Sequence, residues 1–507
     1  MNNERASNAT LAPSDEWGCA GSAARVHVRL ALLAILTVGL AARAATYRSP
    51  LFDFHSWRQA DTATIARNFA TERFNPLYPQ VDSRGAQAHG FVETGFELHA
   101  FAVAALSKAF GFSTELGRLL NVALFPIAAL LLFGFVRLRY GDLTAVTAAF
   151  IYSVGLPLTL FIDRAFMNES VLTLLSITCL WAAQSYCSRA RGRDLVLLVI
   201  ASALIAVVKP TYLIVCAPVA GLFLERFGKA ALLRWELWLT AIVVVVCGLL
   251  WFRHARNISE LTGLSFGLSD KLLDSEILLS LEYPFKIARR LVKDVIGLVG
   301  TFFVPVGLAI ALRRGKLAEL LGVLSFAAYL IVVTVGNFHH NYYQLPIVPV
   351  ATVLTALGIV GAVTARSQRN RWWRENSVRV YAAVLWVAAI STFVRSVSAH
   401  NWYEIDRGRL RLCDDLRPLL TDSDRLVFVN DQSPDMLFCL NRKGWLLNEH
   451  ESSAQNLRRI GEAGGSVVVV HKGDRRGRAD AQTIAHRLTE TPDFVVFRMN
   501  TSAASQP

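Results

Sequence analysis

The chain reads as a polytopic α-helical membrane protein with a small α/β domain after its last span, and three observations predict this. Over 507 residues 53% are hydrophobic and only 18% charged, where soluble domains carry about a quarter charged residues. Apolar stretches of spanning length recur along the chain, and the short loops between them are alternately rich in arginine and poor in it. Beyond residue 398 the pattern turns polar, with short β-type runs in place of apolar blocks.

A span needs about 20 apolar residues. The first runs over 26–45; its long polar leader favours an uncleaved anchor over a signal peptide. Ten more follow near 119–136, 143–162, 171–186, 195–208, 212–224, 237–252, 295–312, 317–335, 345–363 and 378–397, about eleven in all. The segment 91–110 is apolar enough to cross but carries Glu93, Glu97, His99 and Lys108. If it lies at the interface instead, the loops holding Arg137/Arg139, Arg189/Arg191/Arg193, Arg226/Lys229/Arg234, Arg313/Arg314/Lys316 and Arg366/Arg369/Arg371/Arg374 all fall on the N-terminal side. The positive-inside rule makes that side cytoplasmic, so the interfacial reading is preferred. The runs 195–208 and 212–224 form a short hairpin with Lys209-Pro210 at its outer turn.

Three regions follow: a cytoplasmic tail over 1–25, a transmembrane domain over 26–398 with its first outer loop at 46–118, and an outer α/β domain over 399–507. In the last, 426–429, 467–470 and 494–497 are predicted strands and 479–489 is helix-like. The formal charge of +13 does not signal nucleic acid, because the basic residues are scattered between apolar blocks as topology signals. Five of the seven cysteines (Cys19, Cys179, Cys187, Cys216, Cys247) lie in or beside apolar stretches or the tail and read as inert. Cys413 and Cys439 fall in the polar outer region, where a disulfide and two buried thiols both remain open. No metal-ligand spacing, P-loop, nucleophile elbow or dinucleotide fingerprint occurs, and no cofactor is expected.

The residues that could carry chemistry lie on the outer side. The first loop holds Asp53, His55, Arg58 and Asp61; a helix is predicted over 61–73, and Arg58 and Asp61 share a face. A carboxylate there could act as general base toward a hydroxyl, with the arginine holding a phosphate; a surface ion pair is the alternative. Glu93 and Glu97 lie at the edge of the interfacial segment, as polar anchors or as functional acids. Asp163, Arg164, Asn168 and Glu169 crowd one short turn, where Glu169 could simply favour the helix dipole. Lys209 has no sequence partner and calls for an anion, such as a lipid phosphate, unless it snorkels. His339, His340, Tyr342 and Tyr343 gather at the mouth of a late span; an aromatic belt explains the tyrosines but not the histidines.

These pieces, in this order and sidedness, resemble the GT-C glycosyltransferases, in the branch of protein O-mannosyltransferases and lipid A aminoarabinose transferases. The resemblance covers roughly residues 26–397 and rests on Arg58-Gln59-Ala60-Asp61-Thr62-Ala63-Thr64-Ile65-Ala66-Arg67-Asn68-Phe69, on Glu93, on Asn168-Glu169, on Lys209-Pro210 and on His340-Asn341-Tyr342-Tyr343-Gln344-Leu345-Pro346. It implies transfer of a sugar from a polyprenyl-phosphate donor to an envelope glycan, lipid or protein acceptor on the periplasmic face of an inner membrane. It implies that an acid of the first loop is the base or orients the acceptor. Glu93 would match the family's second loop acid, Glu169 a later one, and Lys209 a phosphate-side lysine. His340 and Tyr343 would fall near the lipid phosphate, with His55, Arg58 and Tyr342 beside them as substrate contacts. Where the family has Asp-Glu early in the first loop this chain has Arg58-Gln59, so the acid is expected to be Asp61, or Asp53 before it. A lipid or glycan transporter without chemistry is the competing class; it would put polar groups near the midplane rather than on one face. A membrane-anchored sensor with its outer α/β domain as the receptor would leave the many spans unexplained.

Overall fold

The computed structural model describes residues 22–267 and 270–500. The tail up to residue 21, with Cys19, lies outside the described residues, as do the last seven residues of the outer domain. The chain runs through α1 (Ser22–Ala44), α2 (Ser56–Thr71), α3 (Leu98–Phe110), α4 (Thr114–Tyr140), α5 (Asp142–Val154), α6 (Pro157–Ile162), α7 (Glu169–Arg189) and α8 (Gly192–Val208). It continues through α9 (Cys216–Phe227), α10 (Trp235–Thr262), α11 (Ser275–Leu279), α12 (Glu282–Arg290), α13 (Gly297–Arg313), α14 (Leu317–Val332), α15 (Thr334–His339), α16 (Val348–Arg369) and α17 (Arg371–Ser398).

Among the described residues seven helices are long and apolar enough to cross a membrane, or eight if α12 and α13, bent by 104° at their junction, count as one. The remaining predicted spans also fall on helices, but on shorter or broken ones. The stretch 143–162 is split because α5 ends at Val154 and Pro157 opens α6, a position where a missing N–H costs nothing. The segment 91–110 yields only the 13 residues of α3, roughly 20 Å of helix at 1.5 Å per residue, too short to cross.

Burial sorts the helices. In α7 and in the span ending with α16, 72% of the apolar window is buried, against 6% in α1 and 17% in α10 and α17. The former are the packed centre, with apolar residues on every side, and the latter present leucine, valine and tryptophan outward as lipid-facing helices do. α4 shows how local chemistry sets the ends: Ser113 caps the Leu116 N–H, Glu115 sits in the first turn, and Arg137 and Arg139 sit in the last.

The outer domain follows α18 (His400–Tyr403) with α19 (Arg407–Leu416), α20 (Asp435–Leu440), α21 (Ala454–Glu462), α22 (Arg475–Gln482) and five strands, β1 (Leu426–Val429), β2 (Gly444–Leu446), β3 (Val467–His471), β4 (Ala485–Glu490) and β5 (Phe494–Met499). The sheet order is β2-β1-β3-β5-β4, parallel among the first three and antiparallel for β5 and β4. The three predicted strands are β1, β3 and β5. The expected helix over 479–489 is a correction: α22 stops at Gln482 and β4 begins at Ala485, because pairing along β5 satisfies the backbone of an otherwise exposed segment. Cys413 and Cys439 form a disulfide. The domain is clamped onto the first outer loop by backbone bonds between Gly85 and Gly444 and between Gly444 and Asp82. Lys443 adds ion pairs to Glu72 and Asp82.

Candidate functional site

The site is built around α2, which starts five residues before the predicted helix. His55 precedes it in the left-handed region at φ 59°, turning the chain sharply out of the preceding loop. From Gln59 to Phe69 every residue of α2 is buried, packed between α3 on one side and α20 of the outer domain on the other.

Below α2 lies a polar network centred on Asp53. The Asp53 carboxylate is ion-paired with Arg164 at 2.8 Å and Arg118 at 3.0 Å and accepts the Gln59 Nε2–H at 2.6 Å. Gln59 Oε1 accepts from Arg118 and from the Phe166 N–H. Asp53 is therefore saturated by two guanidinium groups, and it ties the loop to α4 and to the turn before α7.

Above α2 the arrangement is looser. Gly95 lies so close to the end of α8 that a Cβ there would sit 2.0 Å from the Val208 carbonyl oxygen, and the Phe96 N–H donates to the Val207 carbonyl. This close approach holds the segment that carries Glu97 against the end of α8. Glu97 accepts from Thr94 Oγ1 at 2.9 Å and Asn168 Nδ2 at 2.7 Å and lies 3.6 Å from Arg58. Glu169, at the N-terminus of α7, pairs with Lys209 Nζ at 3.0 Å, while its other oxygen, Oε2, is buried without a hydrogen-bond partner. Lys209 Nζ stands 4.0 Å over the Tyr343 ring and 4.9 Å over that of Tyr342. His340 stacks on Tyr342 and leans on Trp57. His55 Nε2 bonds Asn341 Oδ1 at 2.9 Å.

Asp61 differs from all of these. It is 6% exposed, and no hydrogen bond or ion pair to its carboxylate occurs among the described residues. Arg58 shares its face but reaches Glu97 instead, so the alternative of an Arg58–Asp61 ion pair is not formed. Burial pushes the Asp61 carboxyl up to about 7, opposed by the Arg58 charge and helped by Glu97 and Asp435. The Arg58 guanidinium is held above its ordinary range by Glu97 and Glu169, against burial. Burial lowers His55 to about 4, and burial with the His55, Lys209 and Lys271 charges lowers His340 to about 3. Both imidazoles are thus neutral donors or acceptors near pH 7.

Asp61, Arg58, His55, Glu169, Lys209, His340, Tyr342 and Tyr343 converge on this one outer-facing space. Two predicted residues do not. Asp53 is locked beneath α2, and Glu93 accepts from Ser265 Oγ at 2.5 Å and pairs its backbone with Leu264 and Phe266, pinning the first loop to the segment after α10. The acid brought to the site from that stretch is Glu97, one turn on. Sequence reading also passed over Arg290. It donates to the carbonyls of Asn337 and Phe338 and so holds the loop that carries His340. Nothing local marks it; its partners are 47 and 48 residues away. Among the described residues no group of three His, Cys, Asp or Glu side chains is set to hold a metal ion.

No family profile and no curated protein sequence matches the chain. Solved structures do. ArnT from Cupriavidus metallidurans bound to undecaprenyl phosphate is similar with a TM-score of 0.66 at 14% identity, over 96% of this chain and 100% of that one. The Archaeoglobus fulgidus oligosaccharyltransferase tethered to an acceptor peptide is similar at 0.57 and 11% identity, over 91% and 72% of the two chains. Archaeal AglB from the same organism, with an inhibitory peptide and a dolichol-phosphate, is similar at 0.55 and 12%, over 96% and 75%. At such identities the likeness is one of fold, and it extends through the outer domain as well as the helices.

Proposed function

We propose that this chain is an inner-membrane GT-C glycosyltransferase that moves a sugar from a polyprenyl phosphate to an envelope glycan, lipid or protein on the periplasmic face. The observation that carries the reading is Asp61: a buried carboxylate without a partner, titrating near neutrality, beside one basic and one acidic pair that are only partly satisfied. It stands on a fold similar to that of proteins solved with undecaprenyl phosphate and dolichol-phosphate. A general base works best when its pKa lies near the working pH, and an unpaired carboxylate has a free lone pair for an incoming hydroxyl.

In this mechanism the acceptor hydroxyl gives its proton to Asp61 as its oxygen attacks the anomeric carbon. The bond to the phosphate oxygen breaks, and the electron pair leaves with the polyprenyl phosphate. Lys209, backed by Glu169, and Arg58, backed by Glu97, face the charge that develops on the leaving group; preorganised stabilisation of this kind is usually the largest catalytic contribution. His340, being neutral, contributes a hydrogen bond and the stacked Tyr342 rather than a charge. The unpartnered Oε2 of Glu169 is an acceptor for a sugar hydroxyl. Asp53 and Glu93 hold the scaffold and take no part in proton transfer.

The finer topology fits this role. Counting α5 with α6, and the turn after Lys209 with α9, eleven crossings put every arginine-rich loop on the N-terminal, cytoplasmic side and put α2, Lys209 and the outer domain on the other.

The test is transfer by purified protein in detergent from polyprenyl-phosphate sugars, wild type beside Asp61→Asn. Loss of turnover by about 10²–10⁴-fold with donor binding retained is the expected result. Transfer that survives in the variant would remove Asp61 as base. No transfer with any donor, alongside lipid translocation in proteoliposomes, would replace the enzyme with a transporter.

A further inference from the structure

The outer domain has its own pocket, away from Asp61. Chain order explains where it lies: from β1 the chain passes through α20 to β2 on one side, then crosses through α21 to β3 on the other. The connections part at the carboxyl ends of β1 and β3, the switch point where open α/β sheets take ligands. A cavity of about 300 Å³ sits there, at the lower end of the usual range for small-molecule sites and large enough for about one sugar ring.

Its floor is apolar, made by Phe428, Val469 and Phe494, and its rim is polar, with Asp406, Asn430, Asp431, His471 and Asp493. Arg409 lines it too, but its guanidinium is already shared between Asp431 at 2.7 Å and Asp435 at 2.6 Å, with Asp406 at 3.7 Å. The Asp493 carboxylate has no hydrogen bond or ion pair among the described residues. The His471 Nδ1 accepts the Gly473 N–H at 3.1 Å, so the neutral ring carries its proton on Nε2, and the ring meets Phe494 edge to face. The pocket therefore offers several acceptors, one ring donor and an apolar floor. Three carboxylates stand against one guanidinium that is already spent, so a phosphate or carboxylate ligand is repelled. Hydroxyl donors around a ring with an apolar C–H face complement this lining.

We propose that this pocket binds a neutral or amino-bearing sugar unit. It adjoins the first outer loop, since the Asp406 N–H donates to the Phe52 carbonyl, and Arg409 also holds Asp435, which faces Ser56 of α2. A sugar seated here is a unit of the acceptor glycan held behind the transfer site; that role rests on the transferase reading, whereas sugar binding itself does not.

The experiment is ligand-observed NMR on the full-length Asp61→Asn protein in detergent, with neutral hexoses, hexosamines, uronic acids and short oligosaccharides of each. Neutral or amino sugars are expected to bind and uronic acids not. Asp493→Asn, at an exposed position, and Gly408→Leu should each weaken binding at least tenfold with thermal unfolding unchanged. In the latter a Cβ would press to 2.6 Å from the Asp493 carboxylate at the pocket rim. Binding of no sugar, equal binding of uronic acids, or binding that survives both substitutions would overturn the proposal. No sugar binding while the wild type transfers removes the pocket alone, and sugar binding with a wild type that transfers nothing removes the transferase alone.

Discussion

The two ends of the helical bundle each bury a cluster of charges, and they are built differently. At the end away from α2, Arg139 of α4 uses all five of its N–H donors: two on Glu225, two on Glu319 and one on Gln184, at 2.7–3.1 Å. With Lys316 3.9 Å from Glu225, two positive charges meet two negative. At the outer end Arg58 and Lys209 face Asp61, Glu97 and Glu169, and there one carboxylate is unpaired and another has a bare oxygen. The inner cluster ties α4, α7, α9 and α14 together and has no capacity left for anything else. The outer cluster keeps unsatisfied groups that a substrate can complete, which costs stability and is therefore tolerated where chemistry demands it.

The sharpest attempt to break this contrast is Arg139→Ala. Removing the guanidinium that pairs the buried Glu319 and the half-buried Glu225 should cost about 3–5 kcal/mol, seen as a steep loss of folded protein and melting temperature in detergent. Replacing Arg139, Glu225 and Glu319 together by apolar residues of similar size should restore much of it. If Arg139→Ala melted like the wild type, the inner cluster would not be the structural tie described.

Asp53→Asn tests the contrast within a single loop. It leaves Arg118 and Arg164 without their carboxylate and should destabilise the protein by a few kcal/mol, whereas Asp61→Asn removes a strained charge and should leave the melting temperature unchanged or raised. Equal effects of the two on melting would erase the distinction between scaffold and site.

A smaller effect is expected in the pH profile. Because burial raises the Asp61 carboxyl to about 7 and the base must be ionised, transfer should rise tenfold per pH unit below about pH 7 and level off above it. Asp61→Asn should flatten this limb along with lowering the rate. A limb centred near 4 would mean that Asp61 is solvated when substrate is bound. Smallest of all, breaking the exposed Arg371–Glu375 pair at the start of α17 should change neither melting nor transfer measurably, since such pairs add little in water.

How much of this was legible without coordinates follows from the range of the interactions. Hydropathy, loop charge and helix spacing are local, so a multi-pass helical protein and the grouping of Arg58, Asp61, Glu169, Lys209 and His340 could be read along the chain. β4 could not, because its pairing with β5 outweighs a weak local preference. Nor could the choice among acids. Asp53 and Asp61 stand eight positions apart in one loop with the same side chain, and Glu93 and Glu97 stand one turn apart.

The order and polarity of the chain determined a multi-span protein with its polar groups gathered on the outer side and a folded domain beyond them. Only the tertiary structure decided that Arg118 and Arg164 close on Asp53, that Ser265 takes Glu93, and that no described residue closes on Asp61. The physical reason is that the state of a buried carboxylate depends on the few groups that pack against it, and the ones that decide here, Arg118 on Asp53 and Ser265 on Glu93, come from 65 and 172 residues away along the chain.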